Sequence, residues 1–157
     1  MMHHLIPIFA AVLVCCQPAP AQQVPAPNKE IAAIQARAIA ELRAKAEKGD
    51  ATAEWNLGIM YACGQSVPKN EAEALKWYRK SAEHGNPDAQ RVLGATYANG
   101  QGVPKNEAEG YKWLLLAGAQ GNGMAKNEIA ILEPNLTPAQ RAEGQRMARE
   151  FKPSKSK

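Results

Sequence analysis

The run VPKNEAE stands at Val67–Glu73 and again, unchanged, at Val103–Glu109. The two copies lie 36 residues apart, and the likeness spreads around them. Asp50–Gly85 aligned with Asn86–Gly121 gives 17 identities over 36 positions without a gap. They include Ala53/Ala89, Leu57/Leu93, Gly58/Gly94, Tyr61/Tyr97, Gly64/Gly100 and Trp77/Trp113. A fixed period of this length means stacked supersecondary units, and it constrains the fold more than any other feature of the chain.

Each unit reads as two helices. The first opens at an N-cap, Asp50 or Asn86, just after a glycine, and in the second unit Pro87 follows at the first helical position. Ala53, Leu57, Gly58 and Tyr61 then fall on one face at 100° per residue. Glycine inside a helix costs about 1 kcal/mol against alanine, so its return at 58 and 94 predicts close approach of a neighbouring helix. Gly64 and Gly100 are placed to close these helices in the left-handed conformation. The second helices run from Asn70 to His84 and from Asn106 to about Ala119, with Trp77 and Trp113 as apolar anchors. Within VPKNEAE, the asparagines cap these helices and Glu73 and Glu109 stand at N3, a capping-box-like start. The prolines stiffen the loop and the valines tuck into the groove, so the motif reads as a joint rather than a binding sequence.

The flanks follow the same plan. Residues 29–49 form an alanine-rich helix without internal Gly or Pro, ending in AKAEKG much as the second helix of a unit ends in KSAEHG. It reads as an N-terminal capping helix, followed by repeat 1 (50–85) and repeat 2 (86–121). Residues 122–151 read as a divergent C-terminal helix pair, its last helix opened by a Thr137–Gln140 capping box. Two-helix units bury their apolar faces only when about three are stacked, a requirement this chain just meets. The expectation is an all-α, right-handed α-solenoid of antiparallel helix pairs, with six helices.

The first 27 residues carry no Lys, Arg, Asp or Glu. LIPIFAAVLVCC is an apolar run of twelve residues, too short for a bilayer span of roughly 20. It fits a secretory signal peptide over residues 1–21 with an A-x-A site at Ala19–Ala21, although MMHH lacks the usual cation. Cys15 and Cys16 raise the alternative of a lipoprotein signal, but Val14 is too large for that cleavage. The chain is therefore expected to be exported, periplasmic or secreted, with membrane contact only through a lipid anchor. A Pro-rich linker would occupy 22–28. Residues 152–157, KPSKSK, read as a disordered basic tail. They fall short of the six or more clustered cations of a nucleic-acid arm, so no nucleic acid is expected. Cleavage after Ala21 leaves Cys63 as a lone, buried thiol.

The pattern AxxxLGxxYxxGxGVPKNxxxAxxWYxxxAxxG resembles the Sel-one-like repeat family, a relative of the tetratricopeptide repeat. Ala53, Leu57, Gly58, Tyr61, Gly64, Val67, Pro68, Ala74, Trp77, Tyr78, Ala82 and Gly85 carry the resemblance in the first unit. In the second, Gly110 replaces the usual alanine and Leu114 the tyrosine, read as adaptation to a terminal position. The resemblance implies an adaptor that binds protein or peptide on a concave face. A cysteine-rich branch of the family is associated with penicillin-type ligands, and this chain lacks its cysteines.

Enzyme constellations are missing from the sequence. The mature chain would hold one histidine, His84, and one cysteine, Cys63, which leaves a Cys63–His84 dyad as the only nucleophile–base pairing to weigh. No zinc pattern or phosphate loop is present, so no catalytic, metal or cofactor residues are assigned. Candidate partner-binding residues are those on the first helices that differ between repeats: Thr52, Trp55, Asn56 and Ile59, with Asp88, Arg91, Val92 and Ala95. The expected function is a non-catalytic protein- or peptide-binding adaptor of the cell envelope. The alternatives are an enzyme or ligand-binder acting on cell-wall or β-lactam compounds, and an architectural subunit that self-associates end to end.

Overall fold

The computed structural model describes residues 29–154. The expected signal peptide, the linker and Lys155–Lys157 lie outside the described residues. Seven α-helices follow one another: α1 (Lys29–Glu47), α2 (Ala51–Cys63), α3 (Glu71–Glu83), α4 (Pro87–Asn99), α5 (Glu107–Ala119), α6 (Gly123–Leu132) and α7 (Pro138–Glu150). A single 3-10 turn, Glu133–Asn135, joins the last two. Among the described residues there are seven helices where six were expected, because the leading helix, two full pairs and a trailing pair already make seven. No strand occurs among the described residues.

The caps explain where helices start and stop. Asp50, Asn86 and Asn122, spaced by the period, each accept a backbone N–H three residues on and open α2, α4 and α6. Asn70 and Asn106 do the same for α3 and α5. Gly64 and Gly100 end α2 and α4 with φ near +68° and +69°. Thr137 and Gln140 form the full capping box of α7. In VPKNEAE the return arm of the box is replaced. Glu73 pairs with Lys76, and Glu109 with Lys112. The N–H groups of Asn70 and Asn106 instead donate to the carbonyls of Tyr61 and Tyr97, both at 2.9 Å. The duplicated motif thus stitches the start of each second helix to the preceding first helix.

Antiparallel pairs stack into two rows, with α2, α4 and α6 in one and α1, α3, α5 and α7 in the other. Four apolar clusters run along the stack. Ala46, Ala53 and Leu57 join α1 to α2, with Trp77 against them. Ala74, Tyr78 and Val92 form the next, with Trp55 and Ile59. Ala82, Ala89, Leu93 and Trp113 follow, and Tyr111, Leu114, Ala117, Ala125 and Leu132 close the C-terminal end. A repeated clamp ties the rows: Arg43 donates to the Tyr61 hydroxyl at 3.0 Å, and 36 residues later Arg79 donates to Tyr97 at 2.8 Å.

The second unit departs from the first at its helix crossing, and packing supplies the reason. In repeat 1 the Tyr78 ring lies directly over Gly58. In repeat 2 a Cβ on Gly110 would meet the Ala98 nitrogen and the Gly94 carbonyl oxygen, each at 2.8 Å. Gly110 and Leu114 therefore let the backbones of α4 and α5 approach directly, rather than marking a chain end. Gly110→Ala installs the residue that repeat 1 has at Ala74. It should nevertheless destabilise the fold by about 1–3 kcal/mol, because the gain in helix propensity is outweighed by a methyl forced against backbone. Chemical denaturation checks this, and an unchanged or raised midpoint would contradict the crossing.

The C-terminal segment also differs from expectation. Residues 152–154 do not stray from the body. Phe151 packs edge-on against Trp113, and the Ser154 N–H donates to the Glu83 carbonyl at 2.9 Å.

Candidate functional site

The sequence pointed to the non-repeating positions of α2 and α4, and the structure divides them. Thr52, Asn56 and Asp88 are exposed. Trp55 and Ile59 are half-buried and pack in the cluster of Tyr78 and Val92, with Trp55 5.0 Å from the Tyr78 ring. Arg91, Val92 and Ala95 are buried, at 6%, 5% and 4% exposure, and offer no surface to a partner. The reason is positional. A helix at the edge of a solenoid has one buried face, whereas α4 is flanked by α2, α3, α5 and α6 and buries residues all round its axis. The buried positions that vary along this row, Arg91, Val92 and Ala95, are contacts between successive units.

Arg91 shows this most clearly. Its guanidinium pairs with Glu128 of α6 at 2.8 Å, both side chains being largely buried. Burial pushes the Glu128 carboxyl above its ordinary value even though Arg91 opposes the shift. Asn122 donates to Asp88 at 2.8 Å across the same joint. The exposed side of the row continues onto α6 through Met124, Asn127 and Ile131, with Met124 and Ile131 at 61% and 53% exposure. These residues extend the register of Asp88, Arg91 and Ala95 by one more period. This third helix of the row keeps only scattered identities with the repeats, such as Asn122 and Ala125, so these exposed positions do not stand out in the sequence.

One buried polar pair is handled differently in the two units. Glu54, at 1% exposure, shares a 2.7 Å hydrogen bond with Nδ1 of His84. One period later Gln90 faces Gln120 at 2.8 Å. His84 therefore sits against the first turn of α2, while Cys63 closes its last turn, about 13 Å away at 1.5 Å per residue. The dyad weighed from the sequence is not assembled.

Burial is the main force on Glu54 and holds its carboxyl above the ordinary 4.5, against His84 and Lys80, which lower it. The folded chain thus binds this proton more tightly than the unfolded chain. The resulting stabilisation is complete below pH 4.5 and is lost as pH rises through the raised value. Glu54→Gln copies the second unit and removes that titration. The melting temperature of the variant relative to the natural chain should climb from pH 4.5 towards neutrality. Parallel profiles in thermal melts across pH would contradict this.

Among the described residues, no group of three or more His, Cys, Asp or Glu is placed to hold a metal ion. No helix there is long and apolar enough to cross a membrane.

The comparisons agree with this geometry. The model of the Sel1 repeat matches residues 51–86 and 87–122, within one residue of the units read from the sequence. The crystal structure of c5321, a protective antigen of uropathogenic Escherichia coli strains with an SLR fold, is similar at TM-score 0.65 and 29% identity. The match covers 78% of this chain, which spans 28% of that structure. A Sel1 repeat protein from Oxalobacter formigenes is similar at TM-score 0.60 and 29% identity, over 74% of this chain and 92% of the other. No curated protein matches the sequence significantly. The chain carries two Sel1 repeats, set in an all-helical solenoid of antiparallel pairs.

Proposed function

We propose that this chain is an exported, non-catalytic scaffold that binds a protein or peptide partner on the row formed by α2, α4 and α6. Helical-repeat folds of this kind serve as protein-interaction scaffolds. The observation that carries the assignment is the exposed line of residues along that row: Thr52, Asn56, Asp88, Met124, Asn127 and Ile131. They differ from unit to unit, while the clusters, caps and Arg–Tyr clamps beneath them hold the row rigid. A rigid row with non-repeating exposed residues can read a specific ligand with little ordering cost on its own side.

Capture of partners from cell-envelope extract tests the reading. Thr52→Lys, Asn56→Lys and Asp88→Lys together should abolish recovery of whatever the natural chain retains, with helicity unchanged. Equal recovery by the variant would remove the row from consideration. Export is tested in the same preparation by sequencing the mature N-terminus. Gln22 is expected, a lipidated Cys15 or Cys16 would indicate an anchor, and an intact Met1 would contradict export.

A second reading is self-association through the ends of the stack. It is favoured by exposed Ile31 and Ile34 on α1 and Met124 and Ile131 on α6. A concentration-independent monomer in sedimentation equilibrium would set it aside.

A further inference from the structure

The chain crosses its own second row after α7, and the way it does so describes a ligand. Phe151 leaves the helix at φ −64° and ψ 131°, close to the polyproline II conformation. Lys152 precedes a proline, which disfavours helical backbone there. Three contacts hold this extended segment. Phe151 enters the cluster of Ala82, Ala89, Leu93 and Trp113, its ring 5.3 Å from that of Trp113 at an interplanar angle of 69°. Pro153 lies over Gly85, where a Cβ on the glycine would be 3.7 Å from the proline ring. The Ser154 N–H donates to the Glu83 carbonyl, one of the last acceptors of α3 that its own helix leaves unpaired. Lys152, between the anchors, is exposed.

An aromatic slot, a flat glycine step and an outward-facing carbonyl hold the four residues Phe151–Ser154 as extended chain. We infer that the groove between the end of α3, the start of α4 and the middle of α5 is a peptide-binding site for extended aromatic–x–proline segments, and that Phe151–Ser154 is its resident occupant. This deepens the peptide-binding reading but uses different residues, none of them in the exposed line from Thr52 to Ile131, so the two can fail independently. The resident segment is attached by a single bond to α7, and a short tether gives an effective concentration of order millimolar. An incoming peptide must overcome that competition, so the tail sets the threshold for occupancy.

The test uses the full chain and a labelled synthetic peptide with the sequence of residues 149–157. Excess peptide should speed hydrogen exchange at the Ser154 amide of the natural chain, because the tail is displaced. Exchange that does not change would overturn the proposal without any variant. Phe151→Ala in the full chain removes the resident anchor. It should bind the peptide at least about tenfold more tightly than the natural chain does, by fluorescence anisotropy, since the tethered competitor is weakened. A folded Phe151→Ala chain that binds no better would also overturn it. The same peptide with alanine in place of phenylalanine should not bind, and equal binding would show that the aromatic slot is not what recognises it.

Discussion

Trp113→Ala is expected to cost about 3–5 kcal/mol of folding stability, the range for truncating a large buried aromatic. Trp113 is 5% exposed and joins Ala82, Leu93 and Phe151, so one substitution loosens α3, α4, α5 and the C-terminal segment together. Trp77 provides the control. It holds the same place in the first unit and carries a lysine over its ring as Trp113 does, yet it is only half-buried. Trp77→Ala should cost distinctly less. Urea denaturation of the two variants checks the ranking, and equal losses would mean that the second unit is not the centre of the core.

Arg91→Ala carries the other large effect. Removing one member of a buried ion pair leaves a desolvated charge, which costs about 3–5 kcal/mol. Here the abandoned group is Glu128, whose carboxyl burial already pushes upward, so the loss should shrink on acidification as that group takes a proton. Arg91→Met with Glu128→Leu should restore most of the stability, because apolar replacements of a buried pair are often neutral or better. Denaturation near neutrality and at acid pH distinguishes this from a surface role. A surface arginine would give a variant within about 0.5 kcal/mol of the natural chain at either pH.

These two residues show what the sequence made legible and what it did not. The period, the caps at Asp50, Asn86, Asn70 and Asn106, and the glycine crossings at 58 and 94 are local or repeating features, and each was readable before the structure. The capping box at Thr137 was readable for the same reason. The burial of Arg91, Val92 and Ala95 was not, because helical periodicity describes one helix with one buried face and says nothing about a helix enclosed by four others. Arg43 and Arg79, with Tyr61 and Tyr97, stand 36 apart in the sequence, but exposed arginines carry no hydrophobic periodicity that marks them as clamps. The docking of Phe151–Ser154 left no periodic trace. Proline and lysine gave that segment the composition of a free tail, and its anchor depends on a slot built by residues up to 69 positions away. For the exposed row, the sequence identified Thr52, Asn56 and Asp88 and missed Met124, Asn127 and Ile131, which lie where only scattered identities such as Asn122 and Ala125 continue the repeat.

The repeats build the frame, and in the proposed function the exposed, non-repeating residues on α2, α4 and α6 recognise a partner. The most direct measurement is paired capture from envelope extract with the natural chain and with the Thr52, Asn56 and Asp88 triple-lysine variant, both confirmed as folded by their melting curves. The account predicts a partner retained by the natural chain and lost from the variant. Recovery of the same partner in the same amount by both chains would contradict it.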